Sequence, residues 1–158
     1  MAQWNLANLA QSLLPLIDEK QDRALELAQA SVDGFAAMFE ERHNAGLARK
    51  IGLSEVHEDD VELAGNLLAA MSRNQVDFTL LFRGLCEIAA PDAEGSGDSA
   101  VRDLFVDPTE FDSWAEAWRA RLRSDNRDVE ARRADMRSVN PAIIPRNHLV
   151  EAAIRAGH

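Results

Sequence analysis

Apolar residues recur at helical spacing along almost the whole chain, and no stretch alternates in the manner of a strand. Trp4, Leu6, Leu9, Ala10, Leu13 and Leu14 fall near one face of a first helix, which Pro15 is expected to end or bend. From about Gln21, the set Ala24, Leu25, Ala28, Val32, Phe35, Ala36 and Phe39 keeps the i, i+3, i+4 pattern, with Gly34 inside it. Asn44-Ala45-Gly46 reads as a stop, followed by a shorter segment from Leu47 to Leu53. The next pattern is Val61, Ala64, Leu67, Leu68 and Met71, with Glu58, Asp59 and Asp60 in the first turn, where they complement the helix dipole.

Local start and stop signals divide the second half. Asp77 has the place of an N-cap for Phe78, Leu81, Phe82, Leu85 and Cys86. Residues 91–98, rich in Gly, Ser and Asp, form the clearest loop, and Ser99 follows as a cap for Val101, Leu104 and Phe105. Asp107-Pro108-Thr109-Glu110 offers a capping side chain, proline at the first helical position and an acid three residues after the cap. The helix it opens carries Phe111, Trp114, Ala115, Trp118 and Leu122 on one side. A helix from about Asp125 ends at Asn140-Pro141, because proline disfavours helical geometry in the residue before it. A last helix from about Arg146 is expected to turn Leu149, Val150, Ala153 and Ile154 inward. The expectation is an all-α fold of about seven or eight helices, forming a single domain over residues 1–158 with a loop near 91–98.

Composition narrows the function classes. With 46% hydrophobic and 28% charged residues in 158, the chain has the material for a core. A single cysteine, Cys86, excludes an internal disulfide framework and a multi-cysteine zinc site. No apolar run approaches the roughly 20 residues that span a bilayer, and a cytoplasmic setting is expected. The net charge of −10 repels phosphate backbones, so neither nucleic acid nor membrane is an expected partner. The exception to this acidity is 119–137, where seven arginines stand against four acids, a local +3. Its interleaved signs predict pairing along the helix surface.

Tested for chemistry, the chain offers little. Counting Asp92 as the first position of a calcium loop puts Glu94 third, Ser96 fifth, Gly97 sixth and Asp103 twelfth. The glycine fits, but Glu94 replaces the usual Asp or Asn and the short Asp103 replaces a bidentate Glu, so the segment reads as a solvated connector. Glu40 and His43 share a helical face, yet a dinuclear bundle site needs a second such pair and two further glutamates. His57, His148 and His158 have no partner at ligand spacing. Cys86, on the apolar face beside Phe82 and Leu85, reads as a buried structural thiol. No nucleophile elbow, Walker loop or dinucleotide fingerprint occurs. The expected set of catalytic, cofactor and metal residues is therefore empty.

Several ordered runs carry a resemblance. They are Gln3-Trp4-Asn5-Leu6 with Leu9-Ala10 and Leu13; Lys50-Ile51-Gly52-Leu53; Leu67-Leu68 with Met71; and Val76-Asp77-Phe78-Thr79 with Phe82-Arg83 and Leu85. The most specific is Met136 and Val139-Asn140-Pro141, then Ile144-Pro145-Arg146-Asn147-His148, Val150 and Ala153-Ile154. In order and spacing they resemble the C-terminal part of the selenoprotein O (SelO/YdiU) family. The resemblance implies a parent protein of kinase-like fold that transfers AMP from ATP to Ser, Thr or Tyr hydroxyls of other proteins, using ATP with Mg or Mn. It also implies that the ATP- and metal-holding elements precede the Gln-Trp-Asn-Leu motif. On that basis the chain is expected to be a noncatalytic C-terminal portion, with no cofactor of its own. Its implied partner is the N-terminal kinase-like core, docked on an apolar patch that also invites self-association. Asn140, Arg146 and Asn147 are expected to be structural, with Arg146 holding a carboxylate or carbonyls at a helix junction, and a substrate-facing role is the alternative for them. The alternative is an independent helical protein-interaction module.

Overall fold

The computed structural model describes residues 2–90 and 98–157. Every regular element among them is helical: α1 (Ala2–Ile17), α2 (Gln21–Asp33), α3 (Phe35–Lys50), α4 (Glu58–Asn74), α5 (Phe78–Glu87), α6 (Ser99–Arg102), α7 (Pro108–Ser124), α8 (Val129–Val139) and α9 (Asn147–Ala156). By contact the chain groups into two compact units, 1–45 and 46–158, where the sequence pattern suggested one domain.

In the first unit, α1 packs against α2, with Ala24 and Ala28 the buried residues of α2. Helix α1 continues through Pro15 to Ile17 rather than stopping there. Proline deprives the carbonyl four residues earlier of its donor, but Gln11 is exposed, so water can take that carbonyl's hydrogen bond. Gly34 does divide α2 from α3, in a helical conformation at φ −69°.

The expected stop at Asn44-Ala45-Gly46 is a miss. Helix α3 runs through it, and a Cβ placed at Gly46 would meet nothing within 4 Å. The true terminator is Gly52, at φ +85°. There Gly52 N–H donates to the Arg49 carbonyl (3.1 Å) and Leu53 N–H to the Ala48 carbonyl (2.9 Å), the two bonds of a Schellman close. Helix α4 ends in the same way around Gln75, a left-handed non-glycine at φ 55°. Gln75 N–H reaches the Ser72 carbonyl and Val76 N–H the Met71 carbonyl.

The core of the second unit gathers Ile51, Leu53, Leu67, Leu81, Phe82, Leu85, Phe111, Trp118, Leu122 and Met136 from α4, α5, α7, α8 and the close of α3. The aromatic face foreseen for α7 is buried as expected, with Trp114 and Trp118 stacked at 5.2 Å. Their indoles are satisfied: Trp118 Nε1 donates to the Ile51 carbonyl (2.8 Å) and Trp114 Nε1 to the Leu63 carbonyl (2.9 Å).

The start signals are largely as read. Asp77 accepts from Leu80 N–H, and Asp107 accepts from Thr109 N–H ahead of Pro108. Glu110, however, does not turn back on its own cap; it grips Arg73 of α4 through two bonds to Nε and NH2 (3.0 and 2.8 Å). Asp98, not Ser99, occupies the cap position of α6, and α8 opens at Asp128 instead of Asp125, its carboxylate accepting from Ala131 N–H. Helix α9 reverses expectation most clearly. None of its residues is buried, and Leu149, Val150, Ala153 and Ile154 all face outward.

Candidate functional site

Three of the separated sequence runs meet at one polar hub. Lys50 is the last residue of α3, Cys86 and Arg83 lie on α5, and Asn140 caps the C-terminus of α8. Asn140 is buried at 1% exposure and links all three helices. Its Nδ2 donates to the Lys50 carbonyl (2.9 Å) and to Cys86 Sγ (3.6 Å). Its Oδ1 accepts from Lys50 Nζ (3.1 Å), and its backbone carbonyl accepts from Arg83 NH1 (3.2 Å).

The ammonium of Lys50 is held by neutral groups: the Val139 carbonyl (2.9 Å), Asn140 Oδ1, and the faces of Phe78 and Phe82, each 5.5 Å away. Burial pulls its pKa below that of an ordinary lysine. Burial likewise pushes the Cys86 thiol up, against the opposing hydrogen bond from Asn140. Cys86 Sγ donates to the Phe82 carbonyl (3.3 Å), so the thiol is protonated and occupied, as its apolar position led one to expect. The hub is a clamp on three helix ends. From sequence, Asn140 and Cys86 stood out; Lys50 and Arg83 were visible just as members of their runs, and that co-occurrence was the available signal.

A second junction joins the remaining runs. Arg146 NH2 donates to Asp77 Oδ2 (2.6 Å), so the residue preceding α9 holds the capping carboxylate of α5, the role expected of it. The bond from Leu80 N–H and then Arg146 keep the Asp77 carboxyl below the usual carboxylate range. Asn147, the first residue of α9, is exposed.

The arginines of 119–137 were expected to pair along their own helices, and Arg133 does so with Glu130 as a helical i, i+3 pair. Tertiary packing claims most of the others. Arg121 holds Asp60 bidentately (2.7 and 3.1 Å), Arg137 holds Glu87, and Arg119 pairs with Asp98. Arg127 NH2 donates to the Gly52 carbonyl. Arg132 is fully buried and donates through NH2 to the carbonyls of Leu122 and Asp125, tying off the end of α7. Its Nε and NH1 meet no protein acceptor, and burial lowers its pKa.

The other sequence candidates do not assemble. Glu40 and His43 are both exposed on α3, where the His43 ring stacks on Phe39 (5.8 Å). Asp92, Glu94, Ser96 and Gly97 of the considered calcium loop lie outside the described residues. Among the described residues no three His, Cys, Asp or Glu side chains are grouped to hold a metal. In the polar cleft of about 350 Å³ lined by Ser54, Glu55, His57, Arg121, Asp125 and Arg127, the two arginines and Asp125 are paired with one another or with Asp60 and Asp135. Among the described residues no helix is long and apolar enough to cross a membrane.

Comparison with known proteins identifies the class. At 49% identity over 159 residues the chain is similar to the protein nucleotidyltransferase YdiU of Methylorubrum populi, covering 99% of this chain and 32% of that protein. Proteins of the same name from Nitrobacter winogradskyi and a Bradyrhizobium species are each 51% identical, covering 96% and 99% of this chain and 30% and 31% of their own lengths. These relatives are all named protein nucleotidyltransferases. More narrowly, the family described as Protein adenylyltransferase SelO matches residues 1–157, and the chain belongs to that family. It spans about a third of the length of the curated relatives it matches.

Proposed function

We propose that this chain is the noncatalytic helical portion of a SelO-type protein adenylyltransferase. It supports the part of the protein that transfers AMP from ATP to hydroxyl side chains of other proteins, in a cytoplasmic setting. The observation that carries the reading is the fate of the acidic side chains. Asp60, Glu87, Asp98, Glu110 and Asp135 are each held by an arginine, spent on joining helices instead of facing a cation. Phosphoryl-type transfer needs a positioned metal and a nucleotide cradle. The convergence of the motif residues on two structural junctions supports the same role.

Thermal unfolding with and without ATP and Mg²⁺ or Mn²⁺ tests it, since a ligand of the folded state raises the midpoint by mass action. The expected result is no shift. A shift that saturates with ATP overturns the noncatalytic reading. The alternative of an independent interaction module gains from the closed core of 46–158, but the outward apolar face of α9 is not that of a unit closed on its own.

A further inference from the structure

Helix α9 is ten residues long and buries none of them. Isolated helices shorter than about 12 residues are marginal in water, so a helix of this kind gains its stability from a surface it lies against. Leu149, Val150, Ala153 and Ile154 stand at i, i+1, i+4 and i+5, on one face. Leu149 is 60% exposed, Val150 44% and Ile154 59%, and the approach to the helix adds Ile143 at 88%. The segment is nevertheless held in place. Arg146 grips Asp77 at 2.6 Å, which sets the start of α9 beside the first turn of α5, where Phe78 and Leu80 are also about half exposed. The pair is itself partly solvated, with side-chain exposures of 44% and 29%, so it orients more than it stabilises.

The relatives bear on what covers this face, because about two thirds of their length lies outside the matched region. Residues 141–157 carry Arg146 and Arg155 against Glu151, a net +1 in a chain of −10, so this stretch lacks the acidity of the rest of the chain. We propose that residues 141–156 form the face that docks on that remaining portion of a SelO-type chain. The portion receives Leu149, Val150 and Ile154 in an apolar groove, as an amphipathic helix is received. The inference rests on the supporting role proposed above and names its surface.

The test compares Leu149→Ser/Ile154→Ser in two settings: this chain alone, and a chimera in which the chain replaces the matching region of the Methylorubrum populi relative. The expected result is an unchanged unfolding midpoint in the isolated chain, where both side chains are already exposed. In the chimera the midpoint falls by about 5 °C, because there they are covered. Equal responses in the two settings overturn the docking face and leave the family role standing. A chimera that keeps the native arm yet fails to transfer AMP overturns the family role and the inference with it. Light scattering of the isolated chain supplies the remaining check. A stable dimer that the double substitution dissolves assigns the face to a second copy and overturns the proposal.

Discussion

Replacing Asn140 by alanine deletes the carboxamide that joins α3, α5 and α8, and the structure sets the size of the loss. The bond from Nδ2 to the Lys50 carbonyl, at 2.9 Å, is neutral and contributes about 1 kcal/mol net. The bond from Lys50 Nζ to Oδ1, at 3.1 Å, is charge-assisted and contributes about 1.5 kcal/mol or more. Lys50 Nζ keeps the Val139 carbonyl, which limits the damage at the ammonium. The Lys50 carbonyl loses the Asn140 donor, and the site, only 1% exposed, is left with a small void. Together these give about 3 kcal/mol, or about 10 °C in the unfolding midpoint. Urea unfolding followed by tryptophan emission measures it, because Trp114 and Trp118 are buried whereas Trp4 is 70% exposed and changes little. The slope with denaturant should be unchanged. Lys50→Met keeps an aliphatic chain against Phe78 and Phe82 while removing the donor. In that background Asn140→Ala should cost about 1 kcal/mol less, the coupling of the pair. A loss below about 1 kcal/mol for Asn140→Ala, or no coupling, would refute the clamp.

Two further outcomes follow from the same geometry. Gly52→Ala should destabilise by about 2 kcal/mol or more, since a Cβ at φ +85° would stand 2.7 Å from Met136 Sδ and 3.1 Å from Arg132 Cδ; a near-neutral result in urea unfolding would contradict the packing around that turn. Acid should weaken the fold through Asp77, Glu87 and Asp135. The Leu80 N–H lowers the carboxyl of Asp77, Arg137 that of Glu87 and Arg49 that of Asp135. A group whose folded pKa is depressed stabilises the fold above its unfolded value, here the ordinary 3.8 of Asp and 4.5 of Glu, and that stability is lost as pH falls through the folded value. Urea midpoints measured down the pH scale should fall below about pH 4, less steeply in Arg137→Met, where Glu87 has already lost its hydrogen-bonded arginine.

Helix identity and most helix starts were legible because they depend on neighbours in sequence. The Asp77 and Asp107 caps, the proline at 108 and the buried stripe from Phe111 to Leu122 are local facts, set by spacing and by the few side chains able to satisfy a first turn. The choice between Gly46 and Gly52 was not local. Both are glycines after helical pattern, but Gly52 has Met136 and Arg132 packed on it and Gly46 has open space. Glu110 carried the signature of a capping box and spent its carboxylate on Arg73 instead.

The chain's own pattern determined an all-α fold, the caps at Asp77 and Asp107 and the burial of Cys86, because hydrogen bonding and amphipathic spacing act over three or four residues. Only the tertiary structure decided which acid each arginine meets, that Lys50, Arg83 and Asn140 converge, and that α9 turns its apolar face outward. Those outcomes join residues up to 90 positions apart, and a charge or an apolar stripe specifies what kind of surface it needs without saying where in the fold that surface lies.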